Sequence, residues 1–264
     1  MNKNALLAAA LSLGTVTVAL AEEAKSDWTI TGNAGLYSDY RFRGFTQTAY
    51  KPALQGGFDV VHASGFYAGN WNSNVEQNLY RGASLEMDFY GGYKYALGPV
   101  TMDAGLLHYY YPTSNKSVYG ATKAAKQTEI YLGAAYDIFT AKFSYGLTNF
   151  FGLGDGTSTD TKGNYYLDLG VAKDLGNGWG VNAHYGYQYV KDGKKAGLVA
   201  DSVSDYRVGV TKDLSGWVLG ASLVATSKKD FAVTGNSYID NQANGAPLKN
   251  AGKTGLVLSL SKAF

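Results

Sequence analysis

The sequence predicts an all-β chain, a transmembrane antiparallel up-and-down β-barrel of about twelve strands. Three observations carry this. From Trp28 to Phe264 the chain breaks into short runs where apolar residues alternate with small or polar ones. That period places successive side chains on opposite faces of a strand. The gaps between runs alternate strictly between long (43–49, 74–81, 112–126, 152–163, 191–202, 228–253) and short (62–65, 96–99, 138–139, 175–178, 214–216). A membrane barrel sorts its connections this way, with tight turns on the assembly side and long loops outside. Beyond the N-terminal segment, no stretch approaches the roughly 18 apolar residues of a spanning helix, so strands must make any crossing.

Residues 1–21 stand outside the pattern. Lys3 gives a positive start, Ala5 to Val18 an apolar stretch, and Ala19-Leu20-Ala21 a small-x-small cleavage signal before Glu22. The expectation is a signal peptide removed after Ala21, with residues 22–264 forming a barrel in the bacterial outer membrane. Mean hydropathy of −0.17 fits such a barrel, because a lipid face and a wet face cancel. Gly (34) and Tyr (22) are abundant and Pro (4) is scarce, as strands and membrane interfaces require. With no Cys there is neither a disulfide nor a thiolate metal site, and a net charge of +2 speaks against a nucleic-acid partner.

In chain order the runs are 28–42, 50–61, 66–73, 82–95, 100–111, 127–137, 140–151, 164–174, 179–190, 203–213, 217–227 and 254–264. The first opens on Trp28 and carries Arg41 toward its outer end. In 66–73, Phe66 and Ala68 oppose Tyr67, Gly69 and Trp71, and either face could be the outer one. In 82–95, Leu85, Met87 and Phe89 oppose Glu86, Asp88 and Tyr90. In 164–174, Leu167 and Leu169 oppose Asp168 and Gly170. The clearest run is 179–190, where Trp179, Val181, Tyr185 and Tyr187 face away from Asn182, His184 and Gln188. In 217–227, Leu219 and Leu223 oppose Gly220 and Ser222.

Aromatic positions give a separate check. Trp28, Phe66, Trp179, Trp217 and Phe264 all fall at the short-turn end and form one interfacial ring, where amphipathic side chains settle at headgroup level. Tyr40, Phe42, Tyr110, Phe151 and Tyr165 are expected in the outer ring. The last run places Leu256, Leu258, Leu260 and Phe264 on one face, like the C-terminal strand read by the barrel assembly machinery. Lys262 near the rim can snorkel to the headgroups.

Two motifs carry a family likeness. Ser38-Asp39-Tyr40-Arg41-Phe42-Arg43-Gly44, followed by Gln47-Thr48, and Gly65-Phe66-Tyr67-Ala68-Gly69-Asn70-Trp71-Asn72-Ser73-Asn74-Val75 resemble the TorF-type porin family. The likeness runs over the mature chain. It implies an outer-membrane barrel with a pore and says little about the solute.

The inward faces carry most strand charges. Arg41, Arg43 and Arg207 lie toward the outer end on the first and tenth runs, and Glu86, Asp88 and Glu129 lie at similar depth on the fourth and sixth. In a closed ring the bases then face the acids across the lumen, and the transverse field orients solutes. The competing reading is that Asp39 and Asp205 pair with the arginines and satisfy a polar interior. A turn centred near Gly176 sets Asp168 opposite His184, a pair able to orient a general base. The inner face offers only scattered serines such as Ser144 and Ser222, so Asp168 and His184 are assigned to the pore lining and no residue to catalysis. His62 and His108 lie apart from His184, so no metal site is expected. The Gly-rich segment 152–156 lacks the Lys-Ser/Thr of a phosphate loop. No cofactor is implied. Loops 112–126 (Lys116, Lys123, Lys126) and 228–253 (Lys228, Lys229, Lys249, Lys253) lean basic, suiting lipopolysaccharide phosphates or an ordinary solvated surface. The expected partners are outer-membrane lipid, lipopolysaccharide, the assembly machinery and small hydrophilic solutes. The expected function is passive diffusion through the barrel, and the rival is a non-conducting barrel with a surface-binding or envelope-structural role.

Overall fold

A computed structural model describes residues 26–77, 79–114, 124–230 and 250–264. Twelve strands close into one antiparallel barrel, each wall strand pairing with the wall strands before and after it and the first with the last. The wall strands are β1 (Trp28–Tyr37), β4 (Ala53–His62), β5 (Phe66–Asn74), β6 (Leu85–Leu97), β7 (Val100–Tyr110), β8 (Lys126–Tyr136) and β9 (Phe139–Gly146). They continue with β10 (Tyr165–Gly176), β11 (Trp179–Tyr189), β12 (Ser202–Leu214), β13 (Trp217–Thr226) and β14 (Gly255–Ala263). A two-stranded hairpin, β2 (Arg41–Phe42) and β3 (Phe45–Thr46), stands apart from the wall. Closure is what lipid demands, since an open sheet edge leaves backbone groups that cost several kcal/mol each in hydrocarbon. No helix among the described residues is long and apolar enough to cross a membrane.

The faces follow the alternation. Ile30, Phe58, Leu132, Leu169, Leu223 and Leu258 point outward into the belt that lipid covers, while Glu86, Glu129, Gln188 and Asp205 point inward. The strand at 66–74 takes a definite phase, with Phe66 outward and Trp71 and Ser73 buried inside. Trp28, Phe66, Trp179, Trp217 and Phe264 are exposed at the short-turn rim, where Lys262 lies over the Trp217 ring. The connections at this rim are 63–65, 98–99, 137–138, 177–178 and 215–216.

The abundance of Gly and Tyr has a packing reason. Inward tyrosines lie across glycines of the neighbouring strand. A Cβ on Gly69 would stand 2.5 Å from the Tyr90 ring, and one on Gly105 2.6 Å from Cζ of Tyr131. Gly69 pairs with Tyr90 and Gly105 with Tyr131 in the ladder, so each ring fills the space its partner leaves.

The first run departs from expectation. β1 ends at Tyr37 rather than continuing to 42, β4 starts at Ala53 rather than 50, and the connection expected at 43–49 becomes a segment, 38–52, that turns into the lumen. Arg41 and Arg43 therefore leave the wall. Tyr40, Phe42 and Phe151, expected in the outer aromatic ring, pack inside the barrel, whereas Tyr110 and Tyr165 stay on the outer wall.

Candidate functional site: the lumen and its infolded segment

The infolding begins at Asp39. Its carboxylate accepts hydrogen bonds from the Thr46 hydroxyl (2.5 Å) and the Thr48 hydroxyl (3.1 Å) and pairs with Arg41, which ties both ends of the hairpin to one buried group. Arg43 (φ 46°) and Gly44 (φ 84°) make its tip, where both backbones take the left-handed conformation of a tight turn. At Gly44 there is room for no side chain, since a Cβ would stand 2.5 Å from Thr226 and 2.7 Å from Asp205.

From this tip the segment reaches across the barrel. The Arg43 guanidinium donates to both Glu129 oxygens at 2.8 Å, also donates to Gln188, and lies 4.3 Å from the Tyr166 ring centre. Burial by itself would lower the Arg43 pKa, but the Glu129 carboxylate outweighs it and holds the guanidinium above its ordinary range. Tyr40 donates to Glu86, which also accepts from Tyr111. Burial first, then the Glu86 and Asp88 charges, push the Tyr40 hydroxyl well above the usual tyrosine range, so it stays a donor. Around these bonds Tyr40, Trp71, Tyr80, Tyr109, Tyr111 and Phe151 form an aromatic core inside the barrel. The Thr46 amide bonds the Ala251 carbonyl at 3.0 Å, fastening the segment to the last long connection.

Of the charges expected to face one another across the lumen, Arg43 and Glu129 alone meet among the described residues, and Arg41 takes Asp39 as the competing reading had it. Arg43 crosses to Glu129 and Arg41 turns back to Asp39, because leaving the wall brings each guanidinium within reach of an acid. Glu86 and Asp88 are each 2% exposed and Glu129 1%, sealed beneath the segment. Asp88 keeps one carboxylate oxygen without a hydrogen-bond partner.

Asp168 and His184 come together by a different register from the one expected. The turn at Asn177 (φ 52°) and Gly178 (φ 76°) pairs Gly176 with Trp179, and a bulge between Asp174 and Gly176 then shifts the ladder by one residue, so Asp168 pairs with Gly186 and His184 with Gly170. An Asn-Gly pair with both residues at positive φ is the standard two-residue hairpin turn, which that dipeptide signals, but the turn alone would set Asp168 opposite Tyr187, and the bulge decides the final register. The side chains still meet diagonally. His184 Nδ1 lies 2.9 Å from Asp168, and Nε2 lies 2.8 Å from Asp205 and 3.1 Å from the Tyr166 hydroxyl. Both imidazole nitrogens are held by carboxylates.

Below the segment the lumen changes character. On β4–β9 its wall is bulky and bonded: Tyr67 donates to Asp103 (2.6 Å), Tyr90 to Asp59 (2.6 Å), and Lys142 lies 4.0 Å from the Tyr131 ring centre. From β10 round to β14 the inward positions are small, among them Gly170, Asn182, Gly209, Gly220, Ser222 and Ser259. Arg207 stands on this small-residue wall, level with His184 and Val224. Among the described residues no group of His, Cys, Asp and Glu is placed to hold a metal. Lys126, Lys228, Lys229 and Lys253 lie at the long-connection end, while Lys116, Lys123 and Lys249 fall outside the described residues.

The closed antiparallel barrel is a fold seen in solved porins. Two solved structures share it: the KdgM porin in complex with disordered oligogalacturonate (8% identity, 89% of this chain and 98% of that one, TM-score 0.50) and the NanC porin (8% identity, 89% and 99%, TM-score 0.52). At such identity the likeness is one of fold. Residues 21–264 match the family described as bacterial protein of unknown function (Gcw_chp), and the chain belongs to it. No curated protein sequence matches the chain.

Proposed function

We propose that the protein is an outer-membrane channel for passive diffusion of small hydrophilic solutes, with its outer half narrowed by the infolded segment 38–52. The observation that carries this is the contrast within the lumen. A barrel built only as a scaffold has no need of a wall rich in glycine, serine and asparagine from β10 to β14, which puts little side-chain volume into the lumen. The TorF-type likeness of 38–48 and 65–75 supports the same reading, as does the shared fold with porins. Export after cleavage at Ala21, insertion by the barrel assembly machinery and lipopolysaccharide around the long connections complete it.

The test is single-channel recording of the refolded mature protein beside Glu129→Gln and Arg43→Ala. Both changes release the tip of the segment from β8, and larger or longer openings are expected in each. Silence in wild type and both variants, with all three correctly folded, would instead favour a non-conducting envelope barrel.

A further inference from the structure

We propose that Arg207, Asn182 and Ser222 form an anion subsite in the lumen, taking a small carboxylate that also carries hydroxyl groups. The proposal deepens the channel reading, since a solute-filled lumen is what brings such a ligand to it.

Inward cations elsewhere are engaged. Arg41 is held by Asp39 and Arg43 by Glu129, while Lys94 lies over Tyr67 and Lys142 over Tyr131. Arg207 is different: among the described residues it makes no ion pair, and its buried Nε has no hydrogen-bond partner. The acid that could have claimed it is Asp205, two residues earlier on the same face of β12. Asp205 is already committed to His184 at 2.8 Å and Tyr166 at 3.0 Å. His184 also takes Asp168, so the imidazole occupies both nearby carboxylates and leaves the guanidinium to a mobile anion.

Beside Arg207 lie groups that suit hydroxyls. Gly209 follows it on the inner face, paired with Asn182 on one side and Ser222 on the other. A Cβ on Gly209 would stand 2.5 Å from Ser222 Oγ and 3.0 Å from Asn182 Oδ1, so the two side chains converge over the glycine. Asn182 Oδ1 is likewise buried without a partner. A guanidinium fork matches a carboxylate, and an amide oxygen with a serine hydroxyl matches the hydroxyls of the same solute. Arg207, Gly209, Asn182 and Ser222 are each partly exposed as residues, below the packed half of the barrel, although Arg207 Nε and Asn182 Oδ1 are themselves covered.

The experiment is calorimetric titration of the purified full barrel in detergent with gluconate, and with uncharged sorbitol for comparison. Saturable gluconate binding without sorbitol binding is expected. Arg207→Gln should weaken it by about tenfold or more, the loss of a charge-assisted contact, and Asn182→Ala by about fivefold. His184→Asn should weaken it too, because Asp205 is then free to take Arg207, a result that a remote structural role for His184 would not give. Heat-modifiable gel mobility checks the fold of each variant, and Asn182→Ala decides if Arg207→Gln does not fold. Equal binding of sorbitol, or unchanged gluconate affinity in the folded variants, overturns the subsite. Conductance without gluconate binding overturns it and leaves the channel intact. Arg207-dependent binding without conductance keeps the subsite and removes the channel.

Discussion

The outer and inner halves of this lumen are built on opposite plans within one wall. In the outer half, inward positions such as Gln127, Glu129, Asn164 and Gln188 are fully buried beneath the infolded segment and bonded as in a soluble core. In the inner half, inward positions from β10 to β14 are smaller or only partly covered, as at Gly170, Asn182 and Gly209. Alternation alone fixes which residues point inward. Whether an inward residue meets water or protein is set by one segment that abandons the wall.

The comparison can be broken at its strongest point. Phe151→Ala removes a ring packed against Phe42, Tyr109 and Tyr111, and should lower stability by about 3–5 kcal/mol in urea unfolding of the refolded barrel. Ser259→Ala on the open wall should stay within about 0.5 kcal/mol. Similar losses at both sites would mean the halves are equally packed.

Lipid-facing charge comes next and tests the phase common to both halves. Leu223→Arg, on the outer face beside inward Ser222, should cost about 2–4 kcal/mol in lipid refolding titrations. A harmless Leu223→Arg would reverse the assigned faces.

The Tyr-Gly pairing sharpens the contrast at finer scale. In Gly105→Ala the new methyl meets Tyr131 Oη at 2.4 Å and the Gly91 carbonyl at 2.6 Å, and should cost about 1–3 kcal/mol. The nearest atoms at Gly133 are 3.6 Å away, ordinary contact, so Gly133→Ala should be nearly neutral in the same unfolding series. Equal effects would show that the rings do not depend on the glycines.

Orientation is the least energetic test. Cysteine at Ser158, on a long connection, should react with an impermeant thiol reagent on intact cells, and cysteine at Asn177 should not. Labelling only at 177 would place the packed half at the periplasmic end.

The wall was legible in the sequence because its signals are local: period-two alternation, the phase of connection lengths and the aromatic rim. The infolded segment was not, because Tyr40-Arg41-Phe42-Arg43 keeps the same alternation as β1. Its departure rests on contacts distant in sequence, Arg43 with Glu129 and Tyr40 with Glu86. The same cause hid the state of the charges. Spacing could place Arg43 and Glu129 at similar depth, but only the fold shows them joined. Arg207 was legible as inward-facing. That it is left unclaimed depends on His184 occupying Asp205, a relation among three side chains on two strands.

The seam of the ring carries one more lesson. β1 meets β14 over Asn33–Tyr37 and Ser259–Ala263, and Phe264 and Gly32 exchange backbone bonds beyond it at 2.7 and 2.9 Å. Among the described residues, β14 alone pairs with both β13 and β1. A product lacking residues 255–264 would carry two raw edges, and lipid accepts neither. β14 is therefore the closing stave of the wall, and neither of its neighbours can be satisfied in lipid without it.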